Sequence, residues 1–294
     1  MSTLSGRPVR LAYSVDADDA FMFFALANGA IDTQGLTFTH ERADTASLNA
    51  LAAQGEADVV AVSLGAYPAL ADRYWLLPHG ASVGRAFGPV VVAKRPLAPR
   101  ALRGLRVGVP GLSTTAHLIL KLIEPAFEPV VVPIAPFSRA FDALEAGQID
   151  AALLIHEGRL LYEARGYHAV VELGQWWHAH TGLPLPLGVN VMRKGLGAPL
   201  AARICRVLGD AIAWAFAHRE ALIAAIARED RGDAALADPA MLDRYLGMYA
   251  NDDTLRMAPD VRRAIDAVFA RARAHGLLDA HVDVSWAPEE TESV

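Results

Sequence analysis

The run Ile155-His-Glu-Gly-Arg159 ends an apolar stretch in an imidazole, a carboxylate and a guanidinium, side chains suited to proton transfer near neutral pH. A neutral His156 at a strand's carboxyl end can take up a proton, with Glu157 or a backbone carbonyl holding its tautomer. A histidine satisfied by backbone groups is the alternative reading. Three other loops carry hydroxyls or carboxylates where a helix should begin. Ser113-Thr114-Thr115 offers hydroxyls and free N–H groups to a carboxylate, and the same residues would equally serve as ordinary N-caps. Ser63-Leu-Gly-Ala-Tyr67 follows a strand in the same manner. Asp16-Ala-Asp-Asp19 groups three carboxylates, which would favour a hydroxylated or cationic ligand group if they face a cleft.

Other chemistries lack their signatures. The ten histidines are scattered without an HExxH pattern, and His178 with His180 has no third ligand nearby, so no metal is expected. There is no GxGxxG, P-loop or GxSxG segment, and no cofactor is expected. Cys205, the single cysteine, lies at helical spacing among apolar residues and reads as a small core hydrophobe. Lys and Arg total 27 against 33 Asp and Glu, a net charge of -6 that would repel a phosphate backbone or an anionic bilayer. Nucleic acid and membrane insertion are therefore excluded, and a small molecule is the expected partner.

The elements that must position these residues follow from hydrophobic periodicity. In 294 residues with 53% hydrophobic and 20% charged side chains, short β-rich runs alternate with helix-length segments to about residue 193, and helices follow. Strands are expected at Val9–Tyr13, Asp58–Ser63, Gly88–Ala93, Arg106–Val109, Val130–Pro133, Asp150–Ile155, Ala169–Leu173 and Gly188–Met192. Helices are expected at Asp18–Asn28, Thr45–Gln54, Thr114–Glu124 and Ser138–Ala146, three of them stopped by Gly29, Gly55 and Gly147. Residues 48–63 parallel residues 141–155, each a helix, a glycine stop and an Asp entering a strand, which implies two similar α/β halves. The segments Gly88-Pro-Val-Val-Val-Ala-Lys94 and Gly188-Val-Asn-Val-Met-Arg-Lys194 look alike and are expected to be paired hinge strands. The fold class is thus α/β, a two-lobed periplasmic-binding-protein-like (type II solute-binding) fold with a ligand cleft between lobes. Lobe 1 would be 1–92 plus 193–294, and lobe 2 93–192. The amino terminus shows no h-region of a signal peptide, and the uncharged stretch from Gly174 to Met192 is too polar to span a membrane; a cytoplasmic protein is expected.

Several segments, in order along nearly the whole chain, resemble the 1,4-dihydroxy-6-naphthoate synthases of the futalosine menaquinone pathway. They are Gly84-Arg-Ala-Phe-Gly-Pro-Val-Val-Val-Ala93, Val109-Pro-Gly-Leu-Ser-Thr-Thr-Ala116, Ile155-His-Glu-Gly-Arg159, Leu173-Gly-Gln-Trp-Trp177 with Thr181-Gly-Leu-Pro-Leu-Pro-Leu-Gly188, and Tyr249-Ala-Asn-Asp252. The resemblance implies a cytoplasmic lyase that opens cyclic dehypoxanthine futalosine, with His156 as the base and Thr114 and Thr115 anchoring an aromatic or polyhydroxylated carboxylate. The expected substrate-binding set is Ser14, Asp19, Ser63, Ser113, Thr114, Thr115, Glu157, Arg159 and Asn190. Departures fall in cleft loops: Ser14-Val-Asp-Ala-Asp-Asp19 replaces Ser-Pro-Cys-Pro-Asn-Asp, Gly65 replaces a histidine, Phe87 a cysteine, and Asn190 stands where a Gly-Gly-Ile strand is usual. These changes suggest a retuned pocket on the same scaffold. The competing reading is a non-catalytic binding protein for a small carboxylate, against which the missing secretion signal weighs.

Overall fold

A computed structural model describes residues 7–229 and 234–289. The outer ends of the expected first lobe, 1–6 and 290–294, lie outside the described residues.

The first half of the chain runs β1 (Val9–Ser14), α1 (Ala17–Ala27), β2 (Phe38–Ala43), α2 (Thr45–Gln54), β3 (Val59–Ser63), β4 (Tyr74–Leu76) and β5 (Ser82–Gly84). Next come β6 (Val90–Ala93), β7 (Arg106–Val109), α3 (Thr115–Ile123), β8 (Glu128–Val131), α4 (Arg139–Glu145), β9 (Ala151–Leu154), β10 (His168–Glu172) and α5 (Leu173–Thr181). The chain then returns through β11 (Leu185–Arg193) to α6 (Ala198–Ala217), α7 (Arg219–Ile226), α8 (Pro239–Tyr249), α9 (Asp252–Leu255) and α10 (Pro259–Ala274). The first sheet has the order β2-β1-β3-β11-β4, with β5 also on β11; the second has the order β10-β6-β9-β7-β8. In each, the parallel strands carry the helix-starting loops: β1 lies parallel to β2 and β3, and β7 parallel to β8 and β9.

Burial on both faces explains the apolar runs. In β6, Val90 and Val92 belong to the core cluster that holds Phe141, Leu144 and Tyr167, while Val91, on the opposite face, belongs to the cluster that holds Ile119 and Trp177. In the first sheet Leu11, Tyr13 and Met192 pack beneath α1 and α6 with Cys205 among them, the buried cysteine the sequence suggested. Every residue of α1 from Ala17 to Phe23 is buried, Asp18 and Asp19 included.

The two hinge-like segments do not form a pair. β6 hydrogen-bonds to β9 and β10 inside the second sheet, whereas β11 pairs with β3, β4 and β5 inside the first. The chain changes sheets at 85–89 and again at 173–184, not at 88–94 and 188–194. Both segments resemble one another because each is a strand buried on both sides, which demands the same apolar run wherever it lies. At the crossing, a Cβ on Gly84 or Gly174 would stand 1.9 or 2.0 Å from the Phe87 carbonyl oxygen, so only glycine lets the two passages meet. Among the described residues no helix is long and apolar enough to cross a membrane.

Candidate functional site

A cleft with about 700 Å³ of free space, its open mouth included, lies between the carboxyl ends of the two sheets' parallel strands. Its walls come from β1 and the start of α1, the start of α2, the end of β3, the start of β5, Leu187–Asn190 of β11, the start of α3, the loop after β9, and α8.

His156 arrives from the second lobe and reaches three side chains of the first. Its Nδ1 lies 2.6 Å from Asp16 Oδ2, and its Nε2 lies 3.0 Å from Thr45 Oγ1. The Tyr245 hydroxyl stands 3.5 Å from Nδ1 and donates to Asp18 Oδ1 at 2.8 Å. Ser82 Oγ donates to the other Asp18 oxygen at 2.5 Å. The backbone at His156 has φ 51, a left-handed conformation that a non-glycine residue holds only when its surroundings fix it. Bonds at both ring nitrogens supply that constraint.

The loop after β1 gathers charge because its carboxylates do backbone work. Asp16 N-caps α1, accepting from the Asp19 N–H at 3.2 Å, and Asp19 Oδ2 accepts from the Ser14 N–H at 2.6 Å. All three aspartates are buried, with Asp16 at 2% exposure. Burial alone would disfavour a charged His156, but the Asp16 carboxylate outweighs it and holds the imidazole up to about 9. Burial likewise opposes the Asp16 charge, and the imidazolium bonded to it wins, so Asp16 stays ionised far below the ordinary range. Burial and the Asp16 charge push Asp19 up to about 8 and Asp18 well above its ordinary value. Across the pair the charged forms support one another, an imidazolium on a carboxylate. The neutral imidazole expected of a base forms once this proton is released, toward about 9.

Of the residues expected from sequence, Ser14, Asp19, Ser63, Thr114, Thr115, His156 and Asn190 line the cleft. Ser113, Glu157 and Arg159 do not. Ser113 Oγ accepts from Asn49 Nδ2 at 3.0 Å; Arg159 turns away to form a two-pronged bond with Glu172 at 2.8 and 2.9 Å. Glu157, fully buried, accepts from the Ala17 N–H at 2.9 Å and so caps the opposing lobe's helix instead of orienting His156. The orienting carboxylate is Asp16. The two threonines are less free than expected: Thr114 Oγ1 caps α3 through the His117 N–H and donates to the Gly111 carbonyl. Thr115 Oγ1 donates to the Leu187 carbonyl at 2.6 Å and accepts from the Gly65 N–H at 3.0 Å, tying the lobes together. Gly65 lets the two backbones come close there, since a Cβ would stand 3.0 Å from the Thr115 nitrogen and 3.1 Å from the Thr114 carbonyl, so that a larger side chain would need the lobes to give by a few tenths of an ångström.

Thr45, Ser82 and Tyr245 also line the cleft although no site motif includes them, and Tyr249, which opens the Tyr249-Ala-Asn-Asp252 motif, joins them. Asp16, Asp18 and His156 also bring ligand-type atoms within 4.8 Å of one another, a grouping that spacing along the chain does not reveal. Within it the Asp16–His156 ion pair and the bonds from Ser82 and Tyr245 to Asp18 already engage those atoms.

Comparisons with known proteins identify the family and the fold. In Thermus thermophilus, a 1,4-dihydroxy-6-naphthoate synthase is 35% identical over 92% of this chain and 95% of its own length. A Streptomyces coelicolor protein of the same name is 34% identical over 94% and 97%. A solved protein of Archaeoglobus fulgidus superposes with TM-score 0.85 at 39% identity, covering 92% of this chain and 98% of that one. The periplasmic aliphatic sulphonate binding protein of Escherichia coli matches with TM-score 0.65 at 13% identity, covering 98% and 94%, which shows the periplasmic-binding-protein-like fold. Residues 9–274 match the menaquinone biosynthesis family, and the chain belongs to that family.

Proposed function

We propose that this chain is a cytoplasmic lyase that releases 1,4-dihydroxy-6-naphthoate from cyclic dehypoxanthine futalosine, with His156 moving the proton and Asp16 setting its charge. The observation that carries the reading is the Asp16–His156 pair at 2.6 Å in a cleft, on a chain about 35% identical to naphthoate synthases across most of its length. The reaction requires a proton to leave the ribose-derived part of the substrate, so that the ring carbons aromatise and the sugar remnant departs. His156 can accept that proton at Nε2 once the imidazolium has released its own, while Nδ1–H stays fixed on Asp16. Because His156 comes from one lobe and Asp16, Thr45 and Tyr245 from the other, closing the lobes assembles the base. The substrate's carboxylate is assigned to the start of α3, whose first turn carries no acidic residue.

A pure solute-binding role has weaker support, since the sulphonate-binding neighbour shares the fold at only 13% identity. The test is incubation of purified protein with cyclic dehypoxanthine futalosine and detection of 1,4-dihydroxy-6-naphthoate by mass spectrometry. Formation of the product by the wild type and its loss in His156→Asn supports the lyase; tight binding with no product, at any pH from 6 to about 10, overturns it.

A further inference from the structure

Asn190 lies on β11 at 1% exposure and lines the cleft, yet its Oδ1 has no hydrogen-bond partner among the described residues. The orientation of its amide is determined by its neighbour: Nδ2 donates to the Gly80 carbonyl at 3.2 Å, and turning the amide round would set two acceptors against each other. Gly80 itself is adapted to this approach. It adopts φ +75, and a Cβ there would stand 2.1 Å from Asn190 Nδ2. A buried amide oxygen held in place and left without a donor is a costly arrangement that a bound molecule would relieve.

The surroundings identify the donor. Gly80, Ser82 and Asp18 line the same cleft as Asn190, and Ser82 is bonded to Asp18, so this part of the wall is polar. Leu48, Val62, Ala116, Ile155 and Leu187 supply apolar surface elsewhere in the cleft. We propose that Asn190 is a specificity-determining residue whose Oδ1 accepts a hydrogen bond from a hydroxyl of the ligand's sugar-derived portion, leaving the apolar wall to the aromatic rings. The inference rests on the naphthoate-synthase reading for its choice of ligand. It goes beyond that reading by assigning which half of the substrate the cleft reads and through which atom.

The experiment is calorimetric titration of wild type, Asn190→Leu and Asn190→Ser with two compounds: cyclic dehypoxanthine futalosine, which carries the sugar hydroxyls, and 1,4-dihydroxy-6-naphthoate, which lacks them. Asn190→Leu should weaken the first about tenfold, the loss of roughly one neutral hydrogen bond, and leave the second within about twofold. Asn190→Ser, too short to reach, should show the same contrast with the cavity left open, and it serves if the leucine variant fails to fold. Equal loss for both compounds, or no loss for either, overturns the assignment, as does a change in melting temperature alone, which would mark Asn190 as a purely structural residue. Turnover measured in parallel scores the lyase reading separately. A wild type that binds the futalosine derivative with the Asn190 contrast but never converts it would end the lyase reading and leave this inference standing; a wild type that binds neither compound would end both.

Discussion

The starts of α1 and α3 occupy equivalent places, each following a parallel strand at the edge of the cleft, yet they are built for opposite charges. At α1 the backbone donors are consumed by the protein's own carboxylates: Asp16 takes the Asp19 N–H and Glu157, from the other lobe, takes that of Ala17. A helix start so occupied repels an anion and instead stabilises the imidazolium of His156. At α3 the cap is the neutral Thr114, and no acidic residue stands in the first turn. The same backbone dipole is left there to attract a carboxylate. The difference teaches that a helix terminus does not define a site; what already fills it does.

The largest expected effect comes from removing the base on the α1 side. His156→Asn should lower turnover by about 10²–10⁴-fold, read as kcat at saturating substrate. Loss below tenfold would move the base elsewhere. Asp16→Asn keeps the helix cap, since asparagine caps as well as aspartate, and removes only the charge. The kcat/KM profile of the wild type should rise toward about 9 as the imidazolium gives up its proton, and in Asp16→Asn that limb should move to lower pH, because burial then meets only the weaker opposition of Asp18 and Glu157. A limb that stays in place would show that Asp16 does not set the charge.

Stability should follow the same groups. The folded-state value of His156, about 9, lies above its ordinary 6.5, so the pair's contribution is whole below pH 6.5 and lost as pH rises through about 9. Asp19, raised from 3.8 to about 8, acts in the same direction over a more acidic window. The melting temperature should therefore fall between pH 6.5 and 9, and His156→Gln should flatten that fall. An equally steep fall in the variant would locate the titration elsewhere.

On the α3 side the effects are smaller. Thr115→Val removes a hydroxyl bonded to both Leu187 and Gly65 and should cost about 1–3 kcal/mol in urea unfolding, with weaker substrate binding because the lobes lose a tie. Thr114→Val removes the cap and the bond to the Gly111 carbonyl, both within the α3 lobe, and should cost about 0.5–2 kcal/mol while leaving affinity for the naphthoate within about twofold. If Thr114→Val weakened the naphthoate as strongly as Thr115→Val weakens the substrate, the contrast between cap and tie would be lost.

Local chemistry made much of the scaffold legible. Alternating β-branched runs located β1, β3, β6, β7 and β9 within a few residues, and glycines at positive φ closed α2 and α4 where expected. β2, β4 and β5 escaped because β2 is largely exposed and polar while the other two are three residues long, too short for a period to show. The edge passage Leu173–Thr181 forms α5, a helix the sequence reading did not include.

The site divides in the same way. That His156 and the Asp16–Asp19 loop could carry chemistry follows from residue type and from their place at element ends, which short-range sequence does encode. Which carboxylate partners His156 does not follow, because the choice between Glu157, one residue away, and Asp16, 140 residues away, depends on how two lobes meet. Adjacent residues at a turn point in different directions, so proximity along the chain misled where proximity in space decided. Whether a hydroxyl such as that of Thr115 is free for a ligand or already spent between lobes is likewise a property of packing, since its partners Gly65 and Leu187 lie 50 and 72 residues away and only the closed fold brings them within 3 Å.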